Sequence, residues 1–137
     1  MAGKFSLKVI SPERLVFEGD VEAVYAPGSE GEFGILAGHA PYLAQLKVGK
    51  LRILQNDKWL NAAVHGGFSE VDYTSMRVLV EACEFSNEID VARANQAKQK
   101  AEDKLKGGRR EEDDFGNAEA ALERAMVRLE VAEKNNG

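Results

Sequence analysis

Apolar residues follow two different periods along the chain, and the change falls near residue 85. Before it, apolar and polar residues alternate, as in FSLKV at residues 5–9 and MRVLVEA at residues 76–82. A period of two is typical of strands with one buried face. LRIL and KWLNAAV flank QND, in which Asn56 and Asp57 tolerate positive φ, and this predicts a hairpin. Many short strands with glycine and proline turns and no helix between them predict an antiparallel β-sandwich or barrel.

The second part, residues 88–134, has the period of helices and is interrupted by GGRREEDDFGN at residues 107–117. Gly107 and Gly108 are expected to end the first helix, and the charged run is expected to be a solvated connection. Each helix carries a narrow stripe that consists mostly of alanine: Ala94, Ala97, Ala101 and Leu105 in the first, and Ala118, Leu122, Ala125, Leu129 and Ala132 in the second.

Two helices with such stripes can pack closely as an antiparallel hairpin, but they bury little apolar area at about 25 cal/mol per Å². The hairpin is therefore expected to be marginal alone and able to exchange one docking surface for another. The chain is thus predicted to be an α+β protein in two parts. A β-sandwich domain is expected at residues 1–84 and a helical hairpin at residues 85–137.

Composition narrows the function classes. The net charge is −5, with 18 basic and 23 acidic residues interspersed along the 137-residue chain. Nucleic acid is therefore not an expected partner, because duplex binding needs a concentrated basic surface. No apolar run approaches the roughly 20 residues that span a membrane, and the start alternates like a strand instead of forming a signal-peptide core. We expect a soluble chain with no direct membrane insertion, which could still dock on a membrane component.

The sequence offers no recognisable catalytic chemistry. The single Cys83 has no Cys or His nearby at metal-ligand spacing, and we expect it to be a small buried residue in a strand. Neither His39 nor His65 is accompanied by a Ser, Cys or paired carboxylate that would complete a triad. His65 is expected to be a turn or packing residue. No metal site and no enzyme active site are predicted.

A glycine-rich segment, GSEGEFGILAGHAPYL at residues 28–43, is expected to form a run of tight turns between strands. Glu30, Glu32 and His39 would then stand at loop tips, where binding residues are concentrated. These three residues are therefore candidates for contacts with a partner.

Two arginines of the second helix lack acidic neighbours. Neither Arg124 nor Arg128 has a carboxylate three or four residues away, and the pair is itself a like-charge i, i+4 contact. Exposure to solvent is the simplest interpretation. Acids of a neighbouring protein, acids on the first helix or the sheet, or a phosphorylated ligand could each satisfy both guanidinium groups. If Arg93 and Lys100 faced them across the hairpin, four cations would line one groove suited to a polyphosphate.

EIDVARA, at residues 88–94, has the composition of a helix start, with Asn87 as a candidate cap. The glycine-rich pieces HGGF and KGGRR lack the G-x-x-x-x-G-K-[ST] spacing of a phosphate-binding loop. Any nucleotide would therefore have to be held by side chains between the helices. Its affinity would then depend on the conformation of the hairpin.

Four segments that together cover nearly the whole chain resemble the epsilon subunits of bacterial F-type ATP synthases: GSEGEFGILAGHAP at 28–41, GGFSEV at 66–71, EIDVARA at 88–94 and RAMVRLEVAE at 124–133. The resemblance implies an N-terminal β-sandwich of ten strands and a C-terminal helical hairpin. It also implies that the sandwich binds the gamma subunit and the membrane-embedded ring of c subunits. By the same resemblance, Glu32 and His39 are expected to contact the c-ring.

The resemblance further implies a hairpin with two states. In that family a compact form lies on the sandwich, and an extended form inserts along gamma into the catalytic head of alpha and beta subunits and blocks ATP hydrolysis. In some bacterial members ATP binds the compact form through an I/L-D-x-x-R-A motif and further arginines. ATP is thus the expected regulatory ligand, with no catalytic cofactor, and the need for Mg²⁺ is left open.

The matching positions imply roles for individual residues: Glu84, Ile89, Asp90 and Ala94 for the nucleoside, and Arg93, Arg124 and Arg128 for the ribose and phosphates. Lys100 departs from the pattern, because ATP-binding members usually have an arginine there. An ammonium is a point charge and cannot form a bidentate fork. We therefore expect ATP binding that is retained but weakened.

The expected function is that of a non-catalytic rotor subunit, peripheral on the cytoplasmic face of a bacterial cell membrane. It would couple gamma to the c-ring of a proton- or ion-translocating ATP synthase and restrain ATP hydrolysis when ATP is scarce. Two alternatives stay open. One is a purely structural coupling subunit without an ATP site, and the other is a freestanding β-sandwich protein that binds a small ligand.

Overall fold

The computed structural model describes residues 3–107 and 112–133, with side chains from residue 116 onward in the second range. The described chain forms eight strands, one 3₁₀ turn and two helices. The strands are β1 (Phe5–Ile10), β2 (Leu15–Val21), β3 (Ala23–Gly28), β4 (Gly31–Leu36), β5 (Tyr42–Leu46), β6 (Gly49–Gln55), β7 (Lys58–Val71) and β8 (Ser75–Phe85). The 3₁₀ turn covers Ser86–Glu88, and the helices are α1 (Val91–Lys106) and α2 (Glu112–Glu133).

The strands wrap around one apolar core. Their order is β2-β1-β8-β7-β5-β3-β4, and β6 pairs with both β3 and β7. All pairings are antiparallel except that of β1 with β8, which is parallel. The prediction of a β-sandwich followed by a helical hairpin is confirmed, with one parallel pair in place of a wholly antiparallel arrangement.

The expectation of ten strands is wrong for the described chain, which has eight. One reason is that β7 runs through 14 residues and pairs with β6 in its first half and β5 in its second. Gly66 and Gly67 lie between these halves with φ of 62° and 143°. Glycine adopts such angles without the steric cost of a side chain, so one strand can bend between two parts of the sheet.

The predicted alternation holds in β1 and in the first half of β8. Phe5, Leu7 and Val9 are buried, and so are Met76, Val78 and Val80. The pattern then shifts: Ala82 is only partly buried and Cys83 is buried in the core instead. β8 pairs here with the bent part of β7, so the buried face changes at this point. Cys83 is a buried strand residue, as predicted.

The predicted hairpin between β6 and β7 is confirmed. Asn56 and Asp57 form the turn with φ of 52° and 64°, and their backbone amides donate to the carboxylate of Glu22 at 3.3 Å each. A two-residue turn with two positive φ angles matches the twist of the flanking strands.

Glycine at position 57 should stabilise the protein. We expect Asp57→Gly to raise the free energy of unfolding by about 0.5 kcal/mol, because glycine removes the side-chain strain at positive φ and keeps the amide that Glu22 accepts from. Urea unfolding measures this difference. Asp57→Ala removes the same carboxylate without relieving the strain, so an equal gain in both variants would contradict this explanation.

The first helix begins later than its sequence suggests. Asp90 is its N-cap, with a side-chain oxygen that accepts from the backbone N–H of Arg93 at 3.0 Å. The candidate cap Asn87 lies instead in the 3₁₀ turn that precedes it. Glu88 in that turn accepts from the backbone N–H of Phe85 at 2.9 Å, so the chain is already ordered before the helix starts.

The second helix begins earlier than predicted. It starts at Glu112, so the connection predicted at 107–117 is shorter in the structure. Gly107 follows α1 directly, as expected, while Gly108 and residues 109–111 lie outside the described residues.

The two helices meet through part of the alanine stripes. Ala94 and Ala101 of α1 and Ala118 and Ala125 of α2 are buried, whereas Ala97 is exposed. The hairpin also docks on the sandwich through a second face of α2. There Val131 is fully buried with Ala63 of β7 and Ile89 in a small apolar cluster, against which Val127 and Ala132 pack. The two-stripe prediction missed this face.

One ion pair adds to the docked face of α2. Lys50 Nζ of β6 lies 3.5 Å from a carboxylate oxygen of Glu130. Both side chains are partly exposed, so the pair contributes at most about 1 kcal/mol. The described structure is therefore a compact arrangement, with the hairpin held on the sandwich by a small apolar cluster and weak polar contacts.

Candidate functional site

A cavity of about 420 Å³ opens where the start of α1, the end of β8 and α2 meet. It is lined by Glu84, Glu88, Asp90, Arg93, Ala94, Ala97 and Arg128. We call it the first cavity. Five of the residues assigned to ATP by resemblance lie in this lining, although they come from three different elements: Glu84, Asp90, Arg93, Ala94 and Arg128.

A salt bridge crosses the first cavity. Arg128 Nε donates to Glu84 Oε1 at 2.5 Å, and the two side chains are 29% and 33% exposed. Of the partners considered for the second-helix arginines, an acidic residue on the sheet is the one that Arg128 has in the structure. The salt bridge also joins α2 to β8, so it belongs to the docking surface of the hairpin as well as to the cavity.

Two other motif residues have structural roles at the same place. The Asp90 carboxylate caps α1, which fixes the first turn from which Arg93 and Ala94 project. Ile89 is buried against Ala63 and Val131 and does not line the cavity. The motif thus connects the cavity wall to the apolar contact between α2 and the sandwich.

A second cavity, of about 300 Å³, lies between the two helices. Its lining is Ala97, Lys100, Ala101, Lys104, Asn117, Ala118, Ala121 and Arg124. The groove of four cations considered from the sequence is therefore divided into two parts that share Ala97. Arg93 and Arg128 are in the first cavity, and Lys100 and Arg124 are in the second.

Lys104 was missed by the sequence reasoning. It follows Lys100 by four residues. The i, i+4 spacing that links Arg124 to Arg128 therefore places Lys104 on the same face of α1 as Lys100. In the structure it lines the second cavity together with Lys100 and Arg124.

His65 is buried near Arg128 and Glu84 of the first cavity. Both ring nitrogens lack a hydrogen-bond partner among the described residues. The pKa of His65 is lowered from its ordinary 6.5 to about 4. Burial is the largest cause, the positive charges of Arg128 and Arg124 add to it, and the negative charge of Glu84 opposes it. The ring is therefore neutral at pH 7, and its burial agrees with the prediction of a packing residue.

The glycine-rich segment is more regular than predicted. Its residues 31–36 form β4, which pairs with β3, so Glu32 lies in a strand and not at a loop tip. Its carboxylate is 3.7 Å from Arg52, whose guanidinium lies 4.8 Å from the ring centre of Tyr25 and 5.4 Å from that of Trp59. The two aromatic rings restrict Arg52, which places a positive charge beside Glu32.

His39 lies at the turn after β4. The prediction of tight turns in the glycine-rich segment is confirmed at this place. The Nδ1 of His39 donates to the carbonyl oxygen of Ala40 at 2.7 Å, and its ring centre is 6.2 Å from that of Tyr42. The opposite ring nitrogen has no partner among the described residues. It remains available for a contact outside this chain.

A row of apolar side chains crosses the outer face of four strands. Cross-strand pairing joins Leu15 to Ile10, Ile10 to Leu79, and Leu79 to Phe68. Leu15 and Phe68 are each about half exposed, and Leu43 on the next strand is 69% exposed. Contiguous exposed apolar surface of this kind is a mark of a protein interface.

Comparison with known protein families identifies the family of this chain. The family model of the ATP synthase delta/epsilon chain β-sandwich domain matches residues 4–86, and that of the ATP synthase delta/epsilon chain long α-helix domain matches residues 87–133. The chain belongs to the ATP synthase epsilon chain family. The resemblance stated from the four sequence segments is confirmed, and so is the expectation of a non-catalytic stalk subunit.

Relatives in the epsilon chain family match over nearly the full length. The ATP synthase epsilon chain of Desulforamulus reducens is 44% identical over 133 residues, which are 97% of this chain and 100% of the relative. That of Syntrophobacter fumaroxidans is 43% identical, covering 98% of this chain and 99% of the relative. Similarity of this extent includes both the sandwich and the hairpin.

Two solved structures agree with the fold. A chain of the Euglena gracilis mitochondrial ATP synthase, from an OSCP/F1/c-ring structure, superposes with a TM-score of 0.82 at 26% identity, covering 95% of this chain and 81% of that chain. A chain from the central stalk and c-ring of the Tetrahymena thermophila enzyme shares the fold, with a TM-score of 0.60, 12% identity and coverage of 96% and 98%. Neither described helix is long and apolar enough to cross a membrane.

Proposed function

We propose that this epsilon-type chain couples the gamma subunit to the c-ring of a bacterial F-type ATP synthase, at the cytoplasmic face of the membrane. Membership of the family supports this role, as do the similar chains found in central-stalk and c-ring structures. The chain would carry no catalytic group of its own. Its contribution would be to hold two moving parts of the complex together.

The two partners would use different surfaces of the sandwich. The apolar row of Leu15, Ile10, Leu79 and Phe68 suits a broad, permanent interface, and we assign it to gamma. Glu32 and His39 suit polar contacts with the loops of the c-ring. Glu32 lies within ion-pair distance of Arg52, and its side chain is half exposed, so it is accessible to such a contact.

The hairpin would be the regulatory part. Its compact form would bind ATP, and its extended form would insert along gamma into the alpha and beta head and block hydrolysis when ATP is scarce. The observation that carries the ATP proposal is the convergence of Glu84, Asp90, Arg93, Ala94 and Arg128 on one cavity between the hairpin and the sandwich. A ligand bound there contacts both helices and β8, so it can bind only while they are together.

The energetic effect follows from that geometry. ATP that binds only the compact form stabilises it by about 2.7 kcal/mol at a hundredfold excess over Kd. Among the described residues, α2 docks through a small apolar cluster, a salt bridge to Glu84 and a salt bridge to Lys50. Because these contacts are few, a change of this size is enough to shift a two-state hairpin strongly.

A purely structural coupling subunit is the second candidate. It is favoured by the Glu84–Arg128 salt bridge, because an arginine that is already paired within the chain does not require a phosphate. In that case Arg124 would contact acidic residues of another subunit.

Calorimetric titration of the isolated full chain with ATP, with and without Mg²⁺, separates these candidates. Saturable binding to the unsubstituted chain that is lost in Arg124→Ala supports ATP regulation. Arg77→Ala is the matched control, since Arg77 is a surface arginine on the sandwich that pairs with Glu70. No heat at millimolar ATP would leave only the structural coupling role.

Restoring an arginine at position 100 should strengthen the site. We expect Lys100→Arg to lower the Kd for ATP by a few-fold, roughly 0.5–1 kcal/mol, since a guanidinium can donate two parallel hydrogen bonds to one phosphate. Lys98→Arg on the same helix lines neither cavity and should leave the Kd unchanged. An equal effect of both substitutions, or weaker binding by Lys100→Arg, would contradict a phosphate contact at this position.

A further inference from the structure

Arg14 links the turn between β1 and β2 to the segment through which β8 leads into α1. Its Nη2 donates to the two carboxylate oxygens of Glu88 at 3.3 and 3.1 Å, and to the backbone carbonyl oxygen of Cys83 at 3.3 Å. The turn that carries Arg14 is itself closed by two backbone hydrogen bonds between Ser11 and Arg14, at 3.0 and 3.3 Å. A side chain of the sandwich therefore contacts both the end of β8 and the 3₁₀ turn that follows it.

The 3₁₀ turn Ser86–Glu88 lies between the two parts of the protein, since it contacts both β7 and α2. On the sandwich side, Phe85 packs against the core, and its ring centre lies 6.1 Å from that of Phe17. The Glu88 carboxylate that Arg14 binds also accepts from the backbone N–H of Phe85 at 2.9 Å. These contacts would keep the turn on the sandwich when α2 leaves.

The chain is extended for two residues between the 3₁₀ turn and α1. Ile89 has φ −77° and ψ 127°, and Asp90 has φ −82° and ψ 99°. Asp90 caps α1 through the backbone N–H of Arg93, so it belongs to the helix. Ile89 is held by packing in the apolar cluster of Val131, a contact that is lost when α2 leaves the sandwich. A rotation about the backbone of Ile89 would turn α1 without breaking the helix cap or the contacts of Arg14.

We propose that Arg14 clamps the 3₁₀ turn to the sandwich and so places the hinge of the hairpin at Ile89. This inference rests on the proposed release of the hairpin and adds the residue that fixes where the chain divides. The contacts of Val131 and Arg128 with the sandwich are broken on release. Those of Arg14 persist, because both of its partners stay in place.

A hinge at Ile89 divides the lining of the first cavity. Glu84 and Glu88 stay on the sandwich, whereas Arg93 and Arg128 leave with the helices. The clamp holds the Glu88 carboxylate in both states. One wall of the cavity is therefore already in position when the hairpin returns.

The clamp also limits how far the released hairpin extends. Without it, the three residues of the 3₁₀ turn would join the linker, and each extended residue spans at most about 3.3–3.6 Å. The helices could then lie about 10 Å farther from the sandwich. Arg14 thus sets the position at which a released hairpin meets another subunit.

Hydrogen exchange of the full chain, resolved to single residues by mass spectrometry, tests the clamp. Val131→Asp is expected to release α2, because it puts a carboxylate into the apolar cluster, and adding Arg14→Gln removes the clamp as well. We expect the backbone amides of residues 85–88 to stay protected in the single variant. In the double variant they should exchange about tenfold faster, the size of one charged hydrogen bond together with a partly exposed ion pair. Arg77→Gln in place of Arg14→Gln is the matched control and should leave residues 85–88 protected, because Arg77 forms a similar surface pair with Glu70 at 3.1 Å.

The other outcomes are distinguishable. Residues 85–88 that exchange as fast as α1 in Val131→Asp would overturn the hinge at Ile89 and leave a hairpin that is released. Unchanged protection of residues 85–88 in the double variant would overturn the role of Arg14. A hairpin that stays protected in Val131→Asp, or strands that unfold with it, would contradict both this inference and the proposed release.

Discussion

Val131→Asp should release α2 from the sandwich while the sandwich itself stays folded. Val131 is fully buried in the apolar cluster with Ala63 and Ile89, so an ionised carboxylate there would lose its hydration. We expect the docked state to lose at least about 3 kcal/mol, more than a hundredfold in the docking equilibrium. Hydrogen exchange measured by mass spectrometry should show faster exchange in residues 89–133 and unchanged protection in the strands.

Met126→Asp is the matched control for this substitution. Met126 lies on the same helix, five residues earlier, and is 52% exposed. A carboxylate at that position remains in water, so docking should be unaffected. If Val131→Asp left exchange of the hairpin unchanged, or unfolded the strands together with it, the hairpin would not be a separate docked element.

Acidification should weaken docking through His65. Its pKa is about 4 in the compact form, where burial disfavours the charged ring and Arg128 and Arg124 repel it, and would return toward 6.5 when α2 leaves. The released form thus binds more protons, so stability of the compact form is complete above pH 6.5 and is lost as the pH falls toward 4. Between pH 7.5 and 5.0 we expect the docking equilibrium to shift about 30-fold toward release.

His65→Asn removes the buried ring that carries this effect and should flatten the pH dependence, while His39, the only other histidine of the chain, is kept. The measurement is hydrogen exchange of the hairpin at several pH values, corrected for the intrinsic exchange rate. An unchanged pH dependence in His65→Asn would contradict this explanation.

The elements of the fold could be predicted because their signals are local. Alternation identified β1 and most of β8, and the Asn56–Asp57 turn follows from residues that tolerate positive φ. The strand count could not be predicted from them. Whether a bend at Gly66–Gly67 ends one strand and starts another depends on which strands pair on each side, and that is set by tertiary contacts.

The site was predictable only in part. The motif led to Asp90, Arg93 and Ala94, and the missing helical neighbours of Arg124 and Arg128 showed that partners lie elsewhere. Spacing along one helix cannot show which sheet residue comes close, so the pairing of Arg128 with Glu84 required the structure. The docking role of Val131 was missed because an isolated helix presents two faces and only one of them follows the alanine stripe.

The central claim, that ATP holds the hairpin in its compact form, is tested most directly by energy transfer between dyes on the sandwich and on α2 in the assembled ATP synthase. Tyr73→Cys and Met126→Cys place the dyes at exposed positions. Burial raises the pKa of the Cys83 thiol to about 12, so it should not compete for the label. As the ATP concentration rises, the compact population and the rate of hydrolysis should increase together. In Arg124→Ala the compact population should no longer respond to ATP. A compact population that does not change with ATP would contradict the claim.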